Sequence, residues 1–108
     1  MYYPVSAHLI EFLILSVLQK EDSYGYEISR TVKLVADIKE STLYPILKKL
    51  EKNGFMTTYT KEYQRRKRKY YSLTDAGVEE LKFLNSEWIS YRDTIDGIVE
   101  GRIKNDER

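Results

Sequence analysis

The segment 41–54 constrains the fold of this chain more than any other stretch of the sequence. Its apolar residues recur at i, i+3, i+4 and i+7, the spacing of one helix face, and are Leu43, Ile46, Leu47 and Leu50. Its opposite face is polar and mostly basic and carries Ser41, Pro45, Lys48, Lys49 and Lys52. Ser41 or Thr42 can cap the helix, Pro45 falls in its first turn, and Asn53-Gly54 closes it. We therefore expect a helix with an apolar back held on a core and a basic front that faces outward.

Other segments predict three more helices and a β-hairpin around this third helix. The helices are expected at Ser6–Gln19, Tyr24–Val35 and Ala76–Ile103, the last of them capped by Thr74-Asp75. Strands are expected at Phe55–Glu62 and Lys69–Leu73, joined by a basic loop at Tyr63–Arg68. This order predicts a mainly α fold with a β-hairpin: a winged helix-turn-helix followed by a long C-terminal helix. We expect residues 1–74 to form the winged domain and residues 75–108 the C-terminal helix, within one compact unit.

Charge is segregated along the sequence. Residues 1–74 hold 13 Lys and Arg and 8 Asp and Glu, whereas residues 75–108 hold 5 and 9. The stretch Lys61–Lys69 alone contains six basic residues and one acidic residue. A solvated hairpin edge protected by its charges would explain the loop taken alone. The loop belongs, however, to the hairpin that directly follows a helix with a basic front, and this arrangement favours contact of both with polyanionic DNA.

These features predict that the third helix enters the major groove of duplex DNA while the hairpin loop contacts the backbone or the minor groove. The residues expected to contact DNA are Tyr24, Tyr26, Lys39, Ser41, Thr42, Tyr44, Pro45, Lys48, Lys49, Lys52, Arg65, Arg66, Lys67 and Arg68. Ser41, Thr42 and Tyr44 are not suited to bidentate base contacts, so direct base discrimination is expected to be modest. For the three tyrosines, phosphate hydrogen bonds and half-buried packing are equally weighted alternatives.

The last predicted helix carries an apolar seam whose members follow one another in steps of three and four: Leu81, Leu84, Trp88, Tyr91, Ile95 and Ile98. Such a short heptad pattern is typical of helices that pack at a shallow angle. A chain of this length builds only a modest core, so a long helix at one end is expected to need a partner. Gly97 and Gly101 weaken the helix prediction toward its far end.

Several function classes find no support in the sequence. The chain has no cysteine and a single histidine, His8, which we expect to be structural or on the surface. It also lacks a glycine-rich phosphate loop, so we expect neither enzyme activity nor a cofactor or metal. The apolar stretch Leu9–Leu18 is too short to span a membrane, and Glu11 interrupts it. We expect a cytoplasmic protein.

Three segments in register resemble the PadR family of transcriptional regulators. They are Tyr24–Ile28 in the second helix, Ser41–Gly54 in the third, and Arg68–Gly77 from the second strand into the last helix. The resemblance runs from Leu9 to about Val99 and matches the smaller branch of the family, with one C-terminal helix. It implies a winged-helix domain, a C-terminal dimerisation helix, and a homodimeric repressor that acts at operator DNA.

The resemblance also implies roles for the C-terminal helix. In the family this helix packs against the partner's N-terminal helix, which adds Phe12 to the seam residues of the expected dimer interface. Many members are released by small, often aromatic effectors, and in some a tryptophan of this helix stacks on flat ligands. Trp88 is therefore a candidate effector-binding residue, although packing within the interface is the favoured role.

Two other functions stay open from the sequence. One is a ligand-sensing or protein-binding module that kept the winged fold without binding DNA, against which the intact basic front and loop argue. The other is an RNA-binding protein, which is disfavoured because the sequence shows no evident aromatic platform for single strands.

Overall fold

The computed structural model describes residues 3–103, which form four helices and three strands. In chain order these are α1 (Ala7–Lys20), β1 (Ser23–Tyr24), α2 (Gly25–Val32), α3 (Glu40–Lys52), β2 (Met56–Tyr63), β3 (Arg66–Leu73) and α4 (Asp75–Val99). The strands form one antiparallel sheet in the order β1-β3-β2. A mostly helical fold with a small hairpin sheet and a long C-terminal helix confirms the predicted fold class.

A single apolar core joins α1, α2, α3 and the base of the sheet. Its fully buried members share aliphatic or thioether side chains and are Ile14, Leu15, Ile28, Val32, Leu43, Leu47, Leu50 and Met56. Ile46 packs partly buried against this cluster. The predicted apolar back of α3 is thus confirmed, and its burial leaves the other side of the helix facing outward.

The second helix is shorter than the predicted span Tyr24–Val35. Tyr24 instead has extended backbone geometry, and with Ser23 it forms β1, whose Cα partners in β3 are Tyr70 and Tyr71. At the other end Leu34 and Val35 donate their N–H groups three residues back, so the chain leaves α2 in tight turns. Sequence periodicity cannot show a two-residue strand, because its partner lies far away in the chain.

The third helix starts earlier than predicted, which changes the place of its proline. Lys39 is the residue before the first helical residue, and its side chain makes no capping hydrogen bond. Pro45 is therefore the sixth residue of α3 and not part of its first turn. A proline there leaves the Ser41 carbonyl without its helical N–H partner, and both residues are exposed, so water can satisfy that carbonyl.

The C-terminal end of α3 is closed as predicted. Gly54 has a φ of 82°, the left-handed geometry that glycine adopts freely. Its N–H donates to the Glu51 carbonyl at 3.0 Å, and the Phe55 N–H donates to the Leu50 carbonyl at 3.0 Å. These two bonds satisfy carbonyls at the end of the helix and direct the chain into β2.

The hairpin has a shorter loop than the predicted Tyr63–Arg68. Gln64 and Arg65 have φ values of 50° and 64°, as in a two-residue turn of the kind that matches strand twist. Pairing therefore continues to Tyr63 opposite Arg66, and β3 begins at Arg66 instead of Lys69. Four of the predicted loop residues are therefore strand residues, Tyr63 in β2 and Arg66, Lys67 and Arg68 in β3, and their side chains alternate in orientation along each strand.

Hydrogen bonds fix the start of the long helix α4, and the chain folds back on the helix after its end. Thr74 Oγ1 accepts a hydrogen bond from the Gly77 N–H at 3.0 Å and donates to the Gly54 carbonyl at 2.6 Å. At the far end Gly101, with a φ of 75°, lets Arg102 donate to the Gly97 carbonyl at 2.8 Å. The helix thus ends at Val99, short of the predicted Ile103. Between residues 3 and 103, no helix has the length and apolar character needed to cross a membrane.

Candidate nucleic-acid interface

The outward side of α3 is a polar and cationic surface, which we call the α3 front. It comprises Ser41, Thr42, Pro45, Lys48 and Lys52, all of them exposed. At 100° per residue, four of these positions lie opposite the buried leucines, and Thr42 lies at the edge of the same side. Lys48 and Lys52 make no ion pair within the described part of the chain, so both charges are free to meet a ligand.

Both flanks of α3 are held by ion pairs to neighbouring elements. On one side Lys49 Nζ lies 3.1 Å from Glu11 Oε1 of α1. On the other side Glu51 accepts a hydrogen bond from Thr58 of β2 at 3.3 Å and lies 3.6 Å from Lys69 Nζ of β3. Lys49, predicted as a member of the basic front, therefore points toward α1, and α3 is fixed between α1 and the hairpin.

The start of α2 lies against α3 because Gly25 has no side chain. A Cβ at this position would lie 3.1 Å from the Tyr44 ring and 3.2 Å from its hydroxyl, and these distances are shorter than those at which Cβ atoms usually contact their neighbours. Tyr26 is exposed nearby, and the guanidinium of Arg30 lies 5.9 Å from the centre of its ring. The small residue between two tyrosines thus sets the distance between the two helices.

Residues of α2, α3 and the hairpin line a common cleft of about 250 Å³. Tyrosine rings and two cationic side chains form its walls: Tyr24, Gly25, Tyr26, Tyr44, Arg68, Lys69 and Tyr71. The cleft is the point where the hairpin meets the α3 side of the molecule. Burial raises the pKa of the Tyr71 hydroxyl above its usual value, against the opposing effect of Lys69.

Arg68 is clamped between two aromatic rings. Its guanidinium carbon lies 4.3 Å from the centre of the Tyr24 ring and 4.2 Å from that of Tyr63, within the range of cation–π attraction. Among the residues that the structure describes it has no carboxylate partner. Arg68 is half-buried, whereas Arg65 at the turn and Arg66 and Lys67 after it are exposed.

One face of the sheet collects tyrosines that the sequence analysis did not place together. Tyr24, Tyr70 and Tyr59 are cross-strand neighbours, with ring centres 5.6 Å apart in each pair. Tyr59 donates a hydrogen bond to Asp22 Oδ2 at 2.7 Å, which raises the pKa of its hydroxyl. The alternation of Tyr59, Lys61 and Tyr63 in the sequence indicates that these side chains share one face of β2. Only the pairing of the strands shows that Tyr24 and Tyr70 lie on the same face.

The predicted seam of α4 divides into a packed and an open half. Leu81 is buried, and Leu84 and Trp88 are half-buried against α1, where the Trp88 ring centre lies 6.5 Å from that of Phe12. Farther along, Tyr91, Ile95 and Ile98 are exposed. The residues that the structure describes leave 63% of Tyr91, 42% of Ile95 and 60% of Ile98 exposed.

A groove of about 410 Å³ lies at the boundary between the two halves of the seam. Its walls are mainly apolar and aromatic and come from the segment before α1, from α1 and from α4: Pro4, Ser6, His8, Leu9, Phe12, Leu84, Glu87, Trp88 and Tyr91. Trp88 and Tyr91 have ring centres 6.2 Å apart. Phe12 and Trp88, both predicted as residues of the dimer interface, thus lie on one concave surface of the same chain.

A helix with an exposed cationic front, preceded by a short helix and followed by a basic hairpin, defines the winged helix-turn-helix class. Residues 14–83 match the model of the transcriptional regulator PadR-like family, which is more than half of the chain. This chain belongs to that family, and it is a transcriptional regulator of the PadR type. The predicted family resemblance is confirmed.

Individual relatives support the same placement. A crystal structure of a Streptococcus mutans UA159 protein superposes with a TM-score of 0.95 at 67% identity, covering 98% of this chain and 100% of that one. A PadR family transcription regulator from Clostridium difficile R20291 superposes with a TM-score of 0.76 at 33% identity, covering 83% and 97%. The negative transcriptional regulator PadR of Bacillus subtilis is 36% identical over 78 residues, which are 68% of this chain and 43% of that protein.

Proposed function

We propose that this regulator binds double-stranded DNA through the α3 front and the hairpin together. The observation that carries the proposal is that Lys48 and Lys52 of α3 have no ion-pair partner among the described residues. The hairpin that follows packs on α3 through Glu51 and has exposed Arg65 and Arg66 at its turn. The cleft shared by α2, α3 and the hairpin supports a joint surface, because Tyr44 and Arg68 line it from both sides. An α-helix fits the major groove, and arginine at a hairpin tip suits a narrow minor groove.

The roles of individual residues follow from their exposure and partners. Ser41, Thr42 and Pro45 are short side chains near the start of α3, so they approach the base edges in this proposal. Tyr24, Tyr26 and Tyr44 offer hydroxyls to phosphates from the cleft. The remaining phosphate contacts come from cationic side chains along both elements: Lys39, Lys48, Lys52, Arg65, Arg66, Lys67 and Arg68.

We also propose that the regulator works as a homodimer, with residues 75–108 as its dimerisation element and residues 1–74 as its DNA-binding domain. The exposed half of the seam supports this, because Tyr91, Ile95 and Ile98 continue the spacing that α4 uses to pack on α1. Two copies of α3 would then meet two half-sites of a near-palindrome, separated by about one helical turn or a multiple of it. Selection of bound sequences from random duplexes tests this directly, and enrichment without any palindrome contradicts it.

The DNA contact itself is tested by salt dependence. Each phosphate contact that is lost should lower the slope of log affinity against log salt by about 0.9. The combined variant Lys48→Ala, Arg65→Ala and Arg66→Ala should therefore bind random-sequence duplex more weakly, with a slope lower by about 2.7. Lys82→Ala is the matched control, because Lys82 is an exposed lysine of α4 that pairs with Glu79. An unchanged slope in the combined variant would reject the proposed surface.

We further propose that the regulator is a cytoplasmic repressor released by a small, flat aromatic effector that binds in the groove beside Trp88. The relative from Bacillus subtilis is a negative transcriptional regulator, which supports repression by this chain. The aromatic walls of the groove support a flat ligand. Trp88 is the single tryptophan of the chain, so its fluorescence reports binding. Planar aromatic compounds should quench this fluorescence and release bound duplex over the same range of ligand concentration. Tyr91→Ala should weaken both effects. Ile89→Ala is the control and should weaken neither, because Ile89 is not part of the groove walls.

A further inference from the structure

Glu11 is a charged residue in the most apolar helix of the molecule. It follows Ile10 and is only 7% exposed, on the side of α1 that packs into the core. A carboxylate taken out of water needs a cation or several hydrogen-bond donors to offset its lost hydration. Nothing in the proposed DNA contact or in the groove requires an acid at this position.

The partners of Glu11 link it to the third helix. Lys49 Nζ donates to its Oε1 at 3.1 Å, and His8 Nδ1 lies 3.7 Å from its Oε2. The Lys49 side chain is 58% exposed, whereas that of Glu11 is 9% exposed. The lysine therefore reaches from a solvated position toward a buried carboxylate, and its charge is drawn to α1.

Lys49 lies where its charge could contribute to DNA binding if it were not paired with Glu11. Lys49 is one residue after Lys48, about 100° farther around the helix, at the edge of the α3 front. Lys48 has no ion-pair partner in the part of the chain that the structure describes, so the two neighbouring lysines differ in their availability. The difference comes from an acid 38 residues away in the sequence.

We infer that Glu11 is a positioning residue that limits DNA affinity by holding the Lys49 ammonium away from the phosphates. This inference rests on the proposed binding of duplex DNA by the α3 front. A long, flexible lysine can exchange between a carboxylate and a phosphate, and the buried carboxylate competes well because it has few other partners. Removal of the carboxylate charge frees Lys49 for a further phosphate contact.

The test is a double-mutant cycle read as salt dependence on random-sequence duplex. Glu11→Gln keeps the size of the side chain and removes its charge, and should bind more tightly with a slope steeper by about 0.9. Its advantage over the wild type should then fall about 3.5-fold between 50 and 200 mM salt, which is what that slope difference produces. In a Lys49→Met background the same change should leave the slope unaltered, because no lysine is released.

Controls separate this effect from net charge and from folding. Glu79→Gln removes the same charge from α4 and should leave the slope unaltered. Lys49→Met alone should keep the wild-type slope, whereas Lys48→Met should lower it by about 0.9, a comparison that decides the question even if Glu11→Gln folds poorly. The inference is overturned if Glu11→Gln changes nothing, if it acts equally without Lys49, or if Lys49→Met lowers the slope as Lys48→Met does. Failure of the wild type to bind duplex would instead refute the proposed function.

Discussion

Apolar side chains at helical spacing are buried in the winged part of the chain but exposed on the outer half of α4. Before Thr74, apolar residues at helical spacing are buried against one another, and Ile14, Leu43 and Leu47 have no exposed surface. On α4 the same spacing leaves Tyr91 63% exposed and Ile98 60% exposed. The contrast teaches that the winged part completes one core together with Leu81 at the start of α4, whereas the outer half of α4 carries apolar surface that the described residues leave largely exposed.

The strongest way to break this comparison is to charge the open half of the seam. Ile95→Lys with Ile98→Lys should convert the proposed dimer into monomers, because two cations on each copy would be buried in the interface without partners. Sedimentation velocity measures the change. Ile89→Lys is the matched control, since Ile89 is also exposed but lies on another face of α4, and it should remain dimeric. A dimer that persists in the double variant would place the interface elsewhere.

Truncation of one apolar residue in each region sharpens the comparison. Leu47→Ala should lower the free energy of unfolding by about 2–5 kcal/mol, because it leaves a cavity in a fully buried site. Ile98→Ala, measured at concentrations where the chain is monomeric, should change it by less than about 0.5 kcal/mol. Urea denaturation followed by circular dichroism gives both values. Equal losses would mean that the end of α4 belongs to the core of the single chain.

Gly77 and Gly97, the two glycines within α4, differ in what an added Cβ would contact. A Cβ at Gly77 would collide with the backbone carbonyl of Phe55, which cannot move without shifting the start of β2. Gly77→Ala should therefore cost about 1–3 kcal/mol in unfolding free energy. A Cβ at Gly97 would come too close to Cδ1 and Cγ1 of Ile103, side-chain atoms that a rotamer change can move without shifting backbone. Gly97→Ala should therefore cost less than Gly77→Ala, because helix propensity offsets that shift by up to about 1 kcal/mol. Thermal melts of the two variants distinguish the cases, and a strongly destabilised Gly97→Ala would contradict this.

The smallest expected effect concerns Tyr71 and high pH. Burial raises the pKa of its hydroxyl in the folded state, so the unfolded chain loses this proton first as pH rises. Stability should be constant below the unfolded value of about 10 and should decline above it. Tyr71→Phe should make that decline shallower, as measured by urea midpoints between pH 8 and 11. An equally steep decline in the variant would assign it to other groups.

The sequence predicted the local elements well where one apolar face recurs over several turns. The α3 stripe, its Gly54 terminus, the Ser6 start of α1 and the order of the four helices and the hairpin are confirmed, whereas the short strand β1 was not predicted. Serine and glycine signal helix ends through contacts within a few residues, as in the bond from the Leu9 N–H to Ser6 Oγ at 3.2 Å. Such signals survive in the sequence because all their partners are near in the chain.

The errors fall where distant residues decide the outcome. Tyr24 was predicted to be helical, but its pairing with Tyr70 makes it a strand residue. Lys49 and Lys48 look equivalent on a helical wheel, and only the approach of Glu11 separates them. The clamp on Arg68 similarly needs Tyr24 and Tyr63 to converge from two different strands.

The sequence by itself determined the succession of the four helices and the hairpin, the apolar back of α3 and the family to which the chain belongs. Hydrophobic periodicity and terminal residues encode these features locally, so they can be read without a fold. Only the tertiary structure decided which cations stay free, which tyrosines share a face, and where the seam of α4 ceases to be covered. Those properties depend on contacts between residues tens of positions apart, and ion pairing and burial act through space and not along the chain.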